Sequence, residues 1–200
     1  MNYTLKFENQ SNNIGNVCMY QTDPKFDQDD NVMSLAWFIK RTNPETNVKF
    51  EWGIDYSFVW SETGELKPGV IFEASQVVAA DLQSEDLAVF DYDQEAFVIK
   101  NESSNGQAGS LEITETVNIP FNKASIGIGM SGAGTFVKAA QPNMNLKVTP
   151  HPEYWITFGN YEKGQVLDIT EITNKQKIVF APNQYSITAI LQQDNTWKIV

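Results

Sequence analysis

The 200-residue sequence predicts an all-β fold, a single β-sandwich domain over residues 1–200 with roughly twelve or thirteen mostly antiparallel strands. Three observations predict it. Apolar side chains recur at every second position along most of the chain, the period that lines one face of a strand. Turn-forming groups such as Asn43-Pro44-Glu45-Thr46, Asn105-Gly106 and Asp194-Asn195 interrupt those runs at short spacing. No stretch sustains a helical period, and 42% hydrophobic with 12% aromatic residues suffices for a sizeable core.

Tyr3, Leu5 and Phe7 alternate with Thr4, Lys6 and Glu8 in a first half-buried strand. A second follows from about Asn16 to Gln21, and then an acidic loop from Asp23 to Asn31. Val32, Leu35, Ala36 and Ile39 also suit a helix capped by Asp30 or Asn31, but a strand from Met33 to Arg41 is preferred. Asn43-Pro44-Glu45-Thr46 reads as a type I turn joining that run to Val48-Lys49-Phe50-Glu51-Trp52 in a hairpin. Asp55 to Trp60 continues as an aromatic strand. Pro68-Gly69 opens another from Val70 to Ala74, and Gln76 to Asp81 is read as strand. Ala88-Val89-Phe90 and Phe97-Val98-Ile99 flank Asp91-Tyr92-Asp93-Gln94-Glu95. Asn105-Gly106 signals a hairpin between Ile99 and Leu111-Glu112-Ile113. Asn145 to Thr149 is a strand broken by Pro150-His151-Pro152. Tyr154 to Phe158 and Val166 to Ile169 flank Glu162-Lys163-Gly164 as a hairpin candidate, and Lys177 to Phe180, Ser186 to Gln192 and Thr196 to Val200 complete the chain.

The stretch Ala124 to Gln141, ASIGIGMSGAGTFVKAAQ, organises the rest. Ile126, Ile128 and Met130 alternate with glycines, and Ser131-Gly132-Ala133-Gly134 turns the chain toward Thr135-Phe136-Val137. The missing side chains at Gly127 and Gly129 imply a groove on that face. Gly127-Ile128-Gly129-Met130-Ser131-Gly132 fits the dinucleotide fingerprint G-x-G-x-x-G, but too little chain separates Gly132 from Pro142 for the helix that motif needs. Gly129-Met130-Ser131-Gly132-Ala133 approaches the nucleophile elbow G-x-S-x-G, with alanine at the last position and His151 as the lone base. A packed glycine-patterned hairpin is the preferred reading.

A formal charge of −11 disfavours phosphate-backbone binding and anionic membrane surfaces alike, since either would need clustered Lys and Arg, so no nucleic-acid partner is expected. No apolar run reaches membrane-spanning length, so no membrane insertion is expected. The single cysteine, Cys18, permits no intrachain disulfide and reads as a small buried hydrophobe. The N-terminus resembles no signal peptide, which points to a cytoplasmic protein, with export by a route lacking a cleaved signal left open. The Asp27 to Asn31 loop lacks the glycine and glutamate of an EF-hand. Asp91, Asp93 and Glu95 share a face if extended, yet show no fourth ligand, and no metal or cofactor is expected.

The strings Asn16-Val17-Cys18-Met19-Tyr20-Gln21-Thr22-Asp23-Pro24, Val32-Met33-Ser34-Leu35-Ala36-Trp37-Phe38, Asp55-Tyr56-Ser57-Phe58-Val59-Trp60 and the Gly127 to Val137 hairpin resemble the RhiA family, named for a rhizosphere-induced bacterial protein. The resemblance spans most of the chain. It implies a small bacterial protein of root-associated or similar environments, under quorum-sensing control in the member that gave the name, and supplies no catalytic residues.

Function then rests on side-chain chemistry. Trp and Tyr faces stack on sugar C–H surfaces and carboxylates accept sugar hydroxyl protons. A non-enzymatic binding protein for a carbohydrate or other small ligand is therefore the first reading, with Asp55, Tyr56, Trp60, Gly127, Gly129, His151 and Trp155 as its ligand-binding residues and no catalytic ones. At period two, however, Trp60 aligns with Phe58, which suits a core position equally. The alternatives are a glycan hydrolase using paired carboxylates and a self-associating protein, a homo-oligomer, pairing exposed edge strands.

Overall fold

Alternation decides which side chains each strand buries. Leu5 and Phe7 are fully buried while Lys6 between them is exposed. The computed structural model describes residues 2–23 and 31–200. Among these residues there are no helices and seventeen strands, more than the sequence predicts: β1 (Asn2–Asn9), β2 (Gly15–Thr22), β3 (Met33–Ser34), β4 (Phe38–Thr42), β5 (Asn47–Gly53), β6 (Tyr56–Ser61), β7 (Gln76–Ala80), β8 (Leu87–Asp93), β9 (Ala96–Ser103), β10 (Leu111–Glu115), β11 (Ser125–Met130), β12 (Ala133–Ala139), β13 (Asn145–Val148), β14 (Glu153–Gly159), β15 (Lys175–Ile178), β16 (Ser186–Leu191) and β17 (Trp197–Ile199). The excess comes from short strands. Met33 to Arg41, for example, splits into β3 and β4, because the chain crosses between sheets at Leu35 to Trp37.

Four sheets form, in the orders β17-β16-β1-β5, β15-β14-β2-β4, β3-β12-β11-β6-β7 and β13-β10-β8-β9. The first two enclose one core, built on Leu5, Phe7, Met19, Trp37, Trp52 and Ile156. The last two enclose a second, around Phe58, Phe90, Ile113, Ile126 and Ile128. The architecture is thus the expected all-β sandwich, with two smaller buried clusters beside these cores, one around Cys18, Tyr20 and Leu167 and one around Leu35, Val59, Phe72 and Val137. Pairing is mostly antiparallel, with β1/β16 and β8/β10 parallel.

Several pairings differ from the sequence reading. β4 and β5 do not form a hairpin, since β4 pairs with β2 and β5 with β1, so the turn between them carries the chain across the sandwich. That turn has Glu45 at φ 62 with Thr46 N donating to Asn43 O, which is the type II geometry rather than type I. Asn105-Gly106 does not join β9 to β10. The Gly106 amide donates to Asp86 Oδ1 instead, and β10 pairs with β8 and β13. Val70 to Ala74 and Val166 to Ile169 are not strands but make isolated bridges, Ile71 with Gln165 and Leu35 with Val166, while β14 takes β15 as its partner.

Candidate functional site

The glycine stretch is the hairpin β11–β12. Met130 pairs with Ala133 across a two-residue turn, with Ser131 at φ 50 and Gly132 at φ 74, the type I′ geometry that matches strand twist. No helix follows the glycines. Ser131 Oγ accepts from Gly53 N at 2.9 Å and lies 3.1 Å from both Gly53 O and Asp55 Oδ1, which share its single proton. It is a latch on the β5–β6 connection, not a serine paired with His151.

The groove expected over Gly127 and Gly129 is absent because neighbouring chain fills it. A Cβ on Gly127 would lie 2.1 Å from Phe136 O and 2.7 Å from Val137 Cγ1, and one on Gly129 would lie 2.6 Å from Ser57 Oγ. Both glycines are buried, beside a bulge between Ile128 and Gly129. Gly127→Ala is therefore expected to cost about 2 kcal/mol in urea unfolding, as overpacking does when the obstructing atom is backbone. A substitution that left the midpoint unchanged would show that the space is open.

The open space lies at the tip of the same hairpin. Trp37, fully buried, donates from Nε1 to Met130 O at 2.9 Å, fastening the turn to the core of the other sheet pair. Gly164 N donates to Ala36 O and Phe72 N to Gly164 O, both at 2.9 Å, drawing two further segments to the crossover. Between them is a cleft of roughly 360 Å³ whose lining includes Leu35, Phe72, Val77, Gly132 and Gly134, with Glu73 and Lys163 also on its walls. Nothing stands within 4 Å of a Cβ built on Gly132, whereas one on Gly134 would meet Leu35 Cδ1 at 3.0 Å. The turn thus faces open space while Gly134 lets Leu35 and Phe72 pack beneath it. Glu73 and Lys163 are exposed, and among the described residues neither charged group has a hydrogen-bond or ion-pair partner.

The residues expected to bind ligand are not gathered in one place. Trp60 is 7% exposed, packs on Phe90 and Phe97, and donates from Nε1 to Gln76 Oε1. With Gly127 and Gly129, it is enclosed by protein. Tyr56 is half-buried between the two cores, and desolvation, with Tyr154 and Asp23 nearby, pushes its hydroxyl pKa up to about 12. His151 is exposed, its backbone N bound to buried Asp23 Oδ2 and its Nδ1 2.9 Å from Thr149 O. Asp55 is exposed beside Ser131. Trp155 is half-buried, packed against a buried cluster of Cys18, Tyr20, Ala36, Leu167 and Ile172 and stacked on Tyr20 with centroids 6.4 Å apart. Its Nε1 donates to Thr22 Oγ1, and the ammonium groups of Lys175 and Lys177 each lie 5.8 Å from its ring centroid. The cleft residues Glu73, Lys163, Gly132 and Gly134 were outside the predicted set. They come from distant segments, and only the glycine turn carried a local signal.

The acidic groups do not converge. Asp91 is buried, and the Lys100 ammonium 2.6 Å away, followed by Thr116 and Asn118, holds its pKa down to about 2. Lys100 also reaches Asp93 at 4.0 Å, so a cationic side chain already occupies the place proposed for a metal, and Glu95 sits in the turn at φ 64. Among the described residues no group of three His, Cys, Asp or Glu is arranged to hold a metal, and the Asp27 to Asn31 loop lies largely outside them. Glu115 is 2% exposed and desolvation pushes its pKa up to about 7. One of its oxygens accepts from Gln141 N and the other has no partner. Because Phe90 pairs with Glu115 in parallel register, Asp91 and Glu115 project from opposite faces of their sheet. Cys18 is fully buried and its thiol pKa is raised by desolvation, the state of an inert core residue.

Comparison with known proteins places this geometry in a lineage. No solved structure matches the chain. Protein RhiA of Rhizobium leguminosarum bv. viciae is 38% identical over 200 residues, covering 98% of this chain and 85% of that protein. The RhiA family matches residues 1–200 in full. With the family model matched over the full chain and the relative over nearly all of it, the chain belongs to the RhiA family.

Proposed function

We propose that the protein is a non-enzymatic binding protein that takes a small ligand into the cleft beside the Ser131-Gly132 turn. The observation that carries this reading is a concave, apolar-floored space assembled from four separate segments, with two charged residues in its lining that pair with no described residue. Hydrolysis by paired carboxylates would need two acids facing one pocket, and the two carboxyls with the strongest shifts face opposite ways. A carbohydrate held on Trp155 is the second reading, favoured by its half-exposed ring beside Thr22 and Glu153.

A thermal-shift screen over glycans and small metabolites tests both readings, repeated with Val77→Trp, which fills the cleft from an exposed position, and with Trp155→Ala. Stabilisation by a ligand that disappears only in Val77→Trp supports the cleft. Stabilisation that disappears only in Trp155→Ala moves the site to that ring. If no compound shifts the transition, binding is rejected in favour of self-association through edge strands, and sizing chromatography then reads the oligomer directly.

A further inference from the structure

Resting on the cleft reading, we infer that the ligand is a small zwitterion with an apolar body, the chemistry of a short apolar peptide with both termini free. Glu73 belongs to the segment after Ile71, and Lys163 to the turn before Gly164, so residues of opposite charge line one cleft from two independent pieces of chain. They do not pair with each other, being more than the 4.0 Å of an ion pair apart, and no other described side chain neutralises either. A ligand with an ammonium for Glu73 and a carboxylate for Lys163 satisfies both through charge-assisted hydrogen bonds.

The body of the ligand meets apolar surface. Ile71 and Val77, 38% and 48% exposed, are large hydrophobic side chains left open to solvent on these walls, and Leu35 and Phe72 lie beneath. The formal charge of −11 repels anions and leaves net-neutral and cationic ligands. The open face of Gly132 leaves room for the ligand to approach the turn.

The test is isothermal titration calorimetry with the dipeptide Leu-Leu, its N-acetylated form and its C-terminal amide, on the full chain. Leu-Leu is expected to bind, and either cap to weaken it by about tenfold or more, the loss of one charge-assisted contact. Glu73→Lys and Lys163→Glu each produce a similar loss. The double exchange Glu73→Lys/Lys163→Glu restores affinity to within about threefold, because the ligand can reverse its orientation. Both positions are exposed, so folding is preserved, and circular dichroism checks it. Equal binding of capped and free dipeptides, or failure of the double exchange to rescue, overturns the inference. If Leu-Leu fails to bind while another compound is lost in Val77→Trp, the zwitterion is wrong and the cleft stands. If no compound responds to Val77→Trp, both fall.

Discussion

Trp37→Ala is expected to cost about 4 kcal/mol, the upper range for truncating a buried tryptophan. The indole is fully buried, its centroid 4.0 Å from that of Phe38, 5.7 Å from Trp52 and 6.2 Å from Tyr154. Truncation leaves a cavity among rings too stiff to collapse into it, and also deletes the bond to Met130 O. Trp37→Phe keeps most of the ring volume and loses that bond, so it should cost about 1–2 kcal/mol beyond its smaller volume change. Urea unfolding of both variants checks the account. Equal destabilisation by the two would show that the hydrogen bond, not the packing, dominates. Either variant should also abolish the ligand binding proposed for the cleft, because the turn is held in place through this side chain.

The second large effect is a pH dependence. Glu115 has a folded pKa of about 7 against an ordinary value of 4.5, so between these values the native state holds a proton that the unfolded chain releases. The contribution to stability is complete below pH 4.5 and is lost as pH rises through about 7. Across that window the loss amounts to about 3 kcal/mol. Glu115→Gln cannot ionise, and the stability gap between variant and parent should move by about 3 kcal/mol in the variant's favour from pH 4 to pH 8. A gap that stays constant across that range would show that water or rearrangement already solvates the carboxylate. Asp91 acts with the opposite sign. Its depressed pKa contributes stability above 3.8 that is lost as pH falls toward about 2. From these two groups alone, stability peaks near pH 4, where Glu115 is still protonated and Asp91 is largely ionised.

Period two identified most strands, because one buried face per strand leaves its mark in composition: β5, β13 and β16 follow the alternation closely, whereas β2 and β11 are buried on both faces. It did not identify partners. Asn105-Gly106 carries the same local signal in a hairpin as in a loop, and what decided between them was Asp86, which takes the Gly106 amide from far along the chain. Trp60 illustrates a related loss. Ser57, Phe58, Val59 and Trp60 are all buried, so this strand has no outer face on which a ring could serve a ligand. The candidate site was the least legible part. Its walls come from residues near 36, 73, 133 and 163, joined by backbone hydrogen bonds that leave no pattern in side-chain order.

The parallel pairing of β1 with β16 ties Asn2–Asn9 to Ser186–Leu191. β1 pairs early with β5 but completes its pairing only once β16 has been made. Every strand of the β3-β12-β11-β6-β7 and β13-β10-β8-β9 sheets is synthesised by residue 148, so this half can assemble while its neighbour is still missing a side. A fragment lacking β16 and β17 should accordingly leave one half formed and the other exposing Leu5 and Phe7, a partly folded species prone to aggregate.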